Sequence, residues 1–283
     1  MNLKNKTFQQ TLNDIISVSG IGLFSGEKVK IKLIPQKEDF GIAFKRIDKD
    51  ENIKIKADLN FVVDSNRRTT IGVDNITVQM VEHILSALKA YQIDNVLIEV
   101  EGSEIPVIDG SSKFFAEKIE EVGIKLQKKE KKIFNLKKPI YFSKGSAHLI
   151  ALPCEEFKIS YTFHHPSSKL LSSQYYSYKV SSQTYKKEIA PSRTFSIYEE
   201  IKTLLDNNLI RGGDLNNAVL IKNDKVLNPG GTRFDEEMVR HKILDIIGDL
   251  TLIGKDFNAH IIGIKAGHAY NIEFAKLIEQ NLI

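Results

Sequence analysis

Between Arg240 and Asp249 the chain reads Arg-His-Lys-Ile-Leu-Asp-Ile-Ile-Gly-Asp, which sets His241, Asp245 and Asp249 at four-residue intervals. On a helix that spacing projects all three from roughly one side. Met238, Val239, Ile243, Leu244, Ile246, Ile247 and Leu250 surround them, so the helix is apolar over much of its circumference and is expected to be buried. A buried imidazole and two buried carboxylates are costly unless other groups satisfy them. Any fold open to this chain must bring partners to that helix, and a metal ion is one such partner.

Spacing alone does not make a site. With 7 His and 36 acidic residues among 283, chance supplies about one His-x3-acid pair and about one adjacent Glu-His pair, and the chain has a Glu-His pair at Glu82-His83. A surface i,i+4 contact accounts for such a pair equally simply. Weight comes only from several such elements with matching roles.

Cys154 is the only cysteine, so an intrachain disulfide and a Cys-rich zinc site are both excluded, and a metal must use His and carboxylate. The 42% hydrophobic content, mixed charges and lack of low-complexity tracts indicate a soluble globular protein. A net charge of +4 is small beside 40 basic and 36 acidic residues, and no nucleic-acid partner is expected. Lys128, Lys129, Lys131, Lys132, Lys137 and Lys138 form the one dense basic run, interrupted by Glu130. It reads as a solvated linker, with a basic face for phosphates or anionic lipid as the alternative. The first ten residues lack the apolar core of a signal peptide, and no segment approaches the roughly 20 apolar residues of a membrane span, so a cytoplasmic protein is expected.

Val29, Ile31 and Leu33 alternate with lysines as in a strand, and Gly41 to Arg46 looks similar. After Asn75 the period becomes helical, with Val78, Val81, Leu85 and Leu88 leading to Tyr91. A strand from Asn95 to Val100, the turn Pro106 to Gly110, and a helix capped by Ser111 and stopped by Gly123 follow. The second half repeats that order. Strands are expected at Pro139 to Phe142, Ala147 to Leu152, Phe157 to Phe163 and Gln174 to Val180. Next come a helix from Glu236 to Gly254, a strand from Asn258 to Lys265 and a helix from Asn271 to Asn281. This order predicts an α+β fold of two similar halves, residues 1–126 and 133–283, each a β-sheet with a helix pair. Gln127 to Lys132 would be the linker. Each half has an inserted segment, Asp58 to Val73 and Thr194 to Leu220, the second with an amphipathic helix at Ile197 to Leu205. Such additions serve specificity or are ordinary loop variation.

Glu82 on an apolar helix would have its carboxyl pKa raised by desolvation, which suits a general base, and His83 beside it is a candidate metal ligand. The alternative is a helix-surface pair. His268, just after a strand, would stabilise an oxyanion or protonate a leaving amine, and Asp249 would orient and charge such a histidine. Thr194 offers a hydroxyl near a loop-to-helix transition, or a helix N-cap. Two His and one Asp would make an open three-ligand zinc site beside Glu82, the inventory of a zinc hydrolase for an amide or ester.

Five motifs occur in order: Thr77-Val78-Gln79-Met80-Val81-Glu82-His83; Glu104-Ile105-Pro106-Val107-Ile108-Asp109-Gly110-Ser111; Ser192-Arg193-Thr194-Phe195; Val239 to Leu250; and Lys265-Ala266-Gly267-His268-Ala269. Together they resemble the UDP-3-O-acyl-N-acetylglucosamine deacetylase family, zinc amidases of lipid A biosynthesis, from about Thr11 to Tyr270. The resemblance implies helices sandwiched between the two sheets and zinc (Zn2+) held by His83, His241 and Asp245. It implies Glu82 as base, Thr194 at the oxyanion, and His268, kept charged by Asp249, as oxyanion stabiliser and acid. Lys242 and Phe195 would contact the sugar or phosphate of the UDP-linked substrate, and Ile197, Ile201, Ile210, Ala218 and Leu220 would line an acyl-chain passage. It further implies a monomer working transiently near the membrane surface.

The family pattern is not followed everywhere. Gly22-Leu23-Phe24-Ser25-Gly26 has Phe24 where the family has a histidine, so a polar substrate contact is lost there. Asp64 to Thr70 keeps the acidic start and Thr-Thr end of the family's segment but has its own middle, and His164 replaces a usual asparagine. Two competing readings remain. One is a relative that binds nucleotide-sugar or lipid without hydrolysis. The other takes His241-x3-Asp245 as the motif of a thioester-dependent acyltransferase, although Ile246 stands where that motif has glycine and Glu82-His83 would have no role.

Overall fold

Alternation makes Lys28–Pro35 a strand with one buried face, where Val29, Ile31 and Leu33 pack inward and Lys28, Lys30 and Lys32 meet solvent. In the computed structural model, which describes residues 7–282 apart from Glu51, Ser167 and Asn208, this strand is second in a five-stranded sheet. Residues 1–6, which carry part of the signal-peptide reading, and the side chain of Leu205 lie outside the described set. The sheet order is Ile16–Ile21, Lys28–Pro35, Val96–Glu101, Ile42–Arg46, Ile55–Lys56, with Val96–Glu101 and Ile42–Arg46 as its parallel pair. A second large sheet runs Ile140–Lys144, Ala147–Leu152, Asp256–Ile264, Phe157–His164, Ser173–Lys179. Along that path its parallel pair is Asp256–Ile264 with Phe157–His164, and the short strand Ile133–Asn135 adds to Asp256–Ile264 from the side. In both sheets the path order is first, second, last, third, fourth.

Six α-helices lie among the described residues: α1 (Val81–Ala90), α2 (Lys113–Val122), α3 (Ser182–Glu188), α4 (Tyr198–Asp206), α5 (Glu237–Thr251) and α6 (His268–Asn281). The fold is α+β. All of α1 except Lys89 is buried, and α5 is buried from Glu237 to Leu250 apart from Arg240 and Lys242. The two helices touch at Gly248, where a Cβ would stand 2.1 Å from the Glu82 carbonyl oxygen. That approach is open only to glycine, and it carries Glu82 and His83 to the polar side of α5.

Several expectations need correction. Val78 belongs to a strand, Ile76–Gln79, paired antiparallel with Thr70–Val73. Its β-branched Ile-Thr-Val run favours the strand, and Met80, at φ 61°, breaks the chain before α1 begins. The Lys-rich stretch is no loose linker. Ile124–Glu130 is a strand antiparallel to Phe8–Leu12, with its lysines on the solvated sides of a two-stranded ribbon, and Lys131 is buried among carboxylates. Thr194 precedes a strand, Phe195–Ile197, so it is not a helix N-cap.

The two inserted segments have structure of their own. Val62–Asp64, Thr70–Val73 and Ile76–Gln79 form a three-stranded sheet. Phe195–Ile197, α4 and Val219–Lys222 form a strand–helix–strand unit with a parallel pair, joined by Lys225–Val226.

Candidate metal and catalytic centre

Three side chains from two helices converge. One donor atom from each of His83, His241 and Asp245 lies within 4.8 Å of the others, and all three residues are buried. The His83 and His241 rings meet edge to face at 5.2 Å between centroids. α2 steadies His83, whose carbonyl accepts the Ser112 hydroxyl at 2.7 Å.

The protonation of His241 follows from its partners. Its Nδ1 is 3.0 Å from the Ser192 carbonyl, an acceptor, so Nδ1 carries the proton and Nε2 offers a lone pair. Burial lowers the pKa of this imidazole and keeps it neutral. Nε2 then faces Asp245 Oδ1 at 3.3 Å, two acceptors with no proton between them, and Oδ1 is buried with no hydrogen-bond partner. A cation between them removes that conflict. Burial also pushes His83 down to about 3, so its lone pair is free as well. Burial pushes against ionisation of Asp245, but the cationic Lys242 and His268 beside it outweigh that and hold the carboxyl well below its usual range. Two neutral imidazoles and a carboxylate fit a divalent metal with an open position.

Glu82 stands beside this triad. Burial raises its carboxyl to about 7, opposed mainly by His268. Its Oε2 accepts the Thr69 backbone N–H at 3.1 Å, and its Oε1 is 4.0 Å from His268 Nε2. His268 opens α6, with Nδ1 donating to Asp249 Oδ2 at 2.9 Å and Nε2 at 3.7 Å from Asp245 Oδ2. Burial would lower this imidazole, but Asp249, then Asp245, outweigh it and push it up to about 9. Lys242 reaches Asp245 Oδ2 at 2.8 Å, and its Nζ lies 5.4 Å from the centre of the Phe195 ring.

A cavity of about 680 Å³ opens onto these groups. Glu82, His83, Thr194, Phe195, His241, Lys242, Asp245 and His268 line it, with Asp249 behind His268. Ile197, Ile201 and Ile210 line it too, but Ala218 and Leu220 do not. The Ala218 carbonyl and Leu220 N–H are tied to the Asn228 side chain at 2.7 and 2.8 Å. Phe24 also lines the cavity, and the Arg68 guanidinium lies 4.0 Å from the centre of its ring.

Several positioning contacts escape the sequence. The buried Glu237 at the start of α5 binds Arg193 through two parallel bonds of 2.8 and 3.0 Å and accepts the Arg193 N–H at 2.9 Å. That clamp holds the Ser192 carbonyl over His241 and aims Thr194 into the cavity. Thr194 N–H also donates to the Gly110 carbonyl at 2.7 Å, and a Cβ on Gly110 would strike the Asn217 carbonyl oxygen at 1.8 Å. The Ile-Asp-Gly turn of the first half is thus seated against the second inserted segment. Thr69 and Asn271 are the other partners of Asp249, and their contacts to it were likewise not read from the sequence. Arg193 stands in the Ser-Arg-Thr-Phe motif and Thr69 in a Thr-Thr pair, but neither pattern says what the side chain faces.

Comparison with known proteins agrees with the motifs. The model of the family UDP-3-O-acyl N-acetylglycosamine deacetylase matches residues 9–280. A UDP-3-O-acyl-N-acetylglucosamine deacetylase of Chlamydia caviae is 42% identical over 95% of this chain and 96% of its own length. The enzyme of that name from Chlamydia felis is 42% identical over 97% of this chain and 98% of its own. One from Thermodesulfovibrio yellowstonii is 44% identical over 96% of this chain and 92% of its own.

Proposed function

This chain belongs to the UDP-3-O-acyl-N-acetylglucosamine deacetylase family, and on that premise we propose that it is a zinc-dependent amidohydrolase releasing acetate from UDP-3-O-acyl-N-acetylglucosamine in lipid A biosynthesis. The observation that carries the metal is the unpartnered Asp245 Oδ1 facing the lone pair of His241 Nε2, with His83 beside them. Two imidazoles and one carboxylate are a common donor set for catalytic zinc. Zinc bound there supplies Lewis acidity, polarising the acetamide carbonyl and acidifying water.

The chain's own residues do the rest. Glu82, a carboxylate poised near neutrality, takes a proton from the water as its oxygen bonds to the acetyl carbon. Thr194 and the cationic His268 face the negative charge that develops on the carbonyl oxygen. His268 assists departure of the amine as the C–N bond breaks and leaves it protonated, and Asp249 holds that imidazole in place. Lys242 and Phe195 hold the sugar or its phosphates, and Ile197, Ile201 and Ile210 receive the acyl chain, where each buried CH₂ contributes about 0.8 kcal/mol. Apolar contact at Ala218 and Leu220 would need a passage longer than the cavity they stand outside.

The same reading takes the chain as two similar halves, residues 1–126 and 133–283, with their helices between the sheets. The shared strand order of the two large sheets supports it. It also makes the protein a cytoplasmic monomer that meets the membrane surface transiently. No described helix is long and apolar enough to cross a membrane. The acyltransferase alternative leaves unexplained why His83 stands within ligand distance of His241 and Asp245.

The test is acetate release from UDP-3-O-acyl-N-acetylglucosamine by purified, zinc-loaded protein. Release that a chelator abolishes and zinc restores is the expected result. Absence of release by protein holding one zinc per chain would overturn the reading, and release insensitive to chelation would remove the metal from it.

A further inference from the structure

We propose that Thr69 is a positioning residue for this reaction: its backbone N–H holds Glu82 and its hydroxyl holds Asp249, which together fix His268 opposite Glu82. The inference rests on the deacetylase reading. It is fully buried and does not line the cavity, so it does not touch a substrate.

All three of its polar groups are committed to the site. The N–H donates to Glu82 Oε2 at 3.1 Å, and the carbonyl accepts the Val81 N–H, at the start of α1, at 3.3 Å. The hydroxyl is 2.6 Å from Asp249 Oδ1 and, because a carboxylate only accepts, the hydroxyl must donate. Asp249 Oδ2 takes the His268 Nδ1–H at 2.9 Å and the Asn271 amide at 2.8 Å. Both carboxylate oxygens are therefore held, and the carboxylate cannot turn about its bond.

A fixed carboxylate fixes the imidazole. With Nδ1 donating to Asp249, Nε2 is the atom presented to the cavity, 4.0 Å from Glu82 Oε1. Thr69 Oγ1, its proton spent on Asp249, turns its lone pairs to Nδ1 at 3.4 Å, which favours the same tautomer. One buried residue thus sets both the base and the histidine that serves the leaving amine. The first inserted segment makes this geometry, because Thr69 sits at the edge of the strand Thr70–Val73, which pairs with the strand leading into α1.

Thr69→Val keeps the shape and the backbone N–H but deletes the hydroxyl, and Thr69→Ser keeps the hydroxyl. In the zinc-loaded enzyme Thr69→Val is expected to lower kcat roughly 10- to 100-fold, the loss of one hydrogen bond to a charged group, with KM within about twofold and metal content and melting unchanged. Thr69→Ser is expected to stay within about threefold of the parent. Combined with Asp249→Asn, Thr69→Val should cost little more, because the two act in one chain of contacts.

A readout independent of turnover is the His268 Nδ1–H resonance. It should be sharp and downfield in the parent and Thr69→Ser, and lost in Thr69→Val. Failure of the parent to release acetate would count against the deacetylase reading, while this resonance still judges Thr69. Unchanged kcat in Thr69→Val, a full independent penalty on the Asp249→Asn background, an equal loss in Thr69→Ser, or an unchanged resonance would each overturn the proposal. A Thr69→Val protein without a cooperative melt would reduce Thr69 to a structural part.

Discussion

Glu82 and His83 are adjacent on α1, yet burial acts on them in opposite senses. Each is driven toward its neutral form, which puts the carboxyl at about 7 and the imidazole at about 3. A neutral imidazole is a ready ligand, and a carboxyl near neutrality suits a base. Glu82→Ala is expected to cut kcat at least about a hundredfold, the usual contribution of a general base, while metal analysis still finds one zinc per chain. Full turnover in that variant would remove Glu82 from the reaction.

His268 behaves differently, because Asp249 and Asp245 raise it to about 9 against the effect of burial. A raised folded-state pKa contributes stability that is complete below the unfolded value, near 6.5, and is lost as pH climbs through 9. In chelator-treated protein, urea unfolding should show stability falling across that window by about 3 kcal/mol at most. His268→Asn should flatten the slope, and an unchanged slope would assign the proton elsewhere. At this scale the four-residue spacing of His241, Asp245 and Asp249 was legible because a helix turns it directly into geometry. Thr69 and the Arg193–Glu237 clamp were not, because their partners lie far along the chain and only the fold brings them close.

At the scale of elements the site is a helix crossing. α1 and α5 carry all three proposed ligands and the base, and their separation is set where Gly248 lies on the Glu82 backbone. Gly248→Ala would place a methyl 2.1 Å from the Glu82 carbonyl oxygen, a contact that backbone cannot yield to. The helices must move apart. A loss of about 1–3 kcal/mol by thermal or urea unfolding is expected, with weaker zinc retention against a competing chelator. Wild-type zinc affinity in a stable Gly248→Ala protein would show that the triad tolerates a shift of α1. The long periodic elements were legible, Ala147–Leu152 to the residue. The strand Ile124–Glu130 was missed because five of its seven residues are polar or charged, and what makes it a strand is a backbone partner, Phe8–Leu12. The start of α1 was misread because Val78 fits both periods, and only pairing with Thr70–Val73 decides between them.

At the scale of the whole molecule, a half-buried ion network joins parts that the catalytic centre draws from both ends of the chain. Lys131 lies 2.6 Å from Asp94, in the loop after α1, and 2.6 Å from Asp256, the first residue of a central strand of the second large sheet. Lys89 of α1 also binds Asp256. Burial pushes against ionisation of Asp256, but Lys89 and then Lys131 outweigh it and hold the carboxyl well below its usual range. The basic run that looked like a solvated linker therefore ends in a tether between α1 and that sheet. Lys131→Met keeps the length and apolar stem while removing the charge, which leaves the half-buried Asp94 without this lysine and Asp256 with Lys89 alone. Removing one partner from a fully buried network costs about 3–5 kcal/mol, and the partial exposure of these carboxylates brings the expected loss to about 1–3 kcal/mol, read from urea unfolding at pH 7. The depressed Asp256 contributes stability that is present above its unfolded value of 3.8 and lost as pH falls through its folded one. Near pH 4 that contribution still stands, but Asp94, which burial raises to about 6, is then protonated and no longer needs the lysine, so the gap between parent and Lys131→Met should narrow when the unfolding is repeated there. A gap under about 1 kcal/mol at pH 7, or one that does not change with pH, would mean that packing rather than charge ties these elements together.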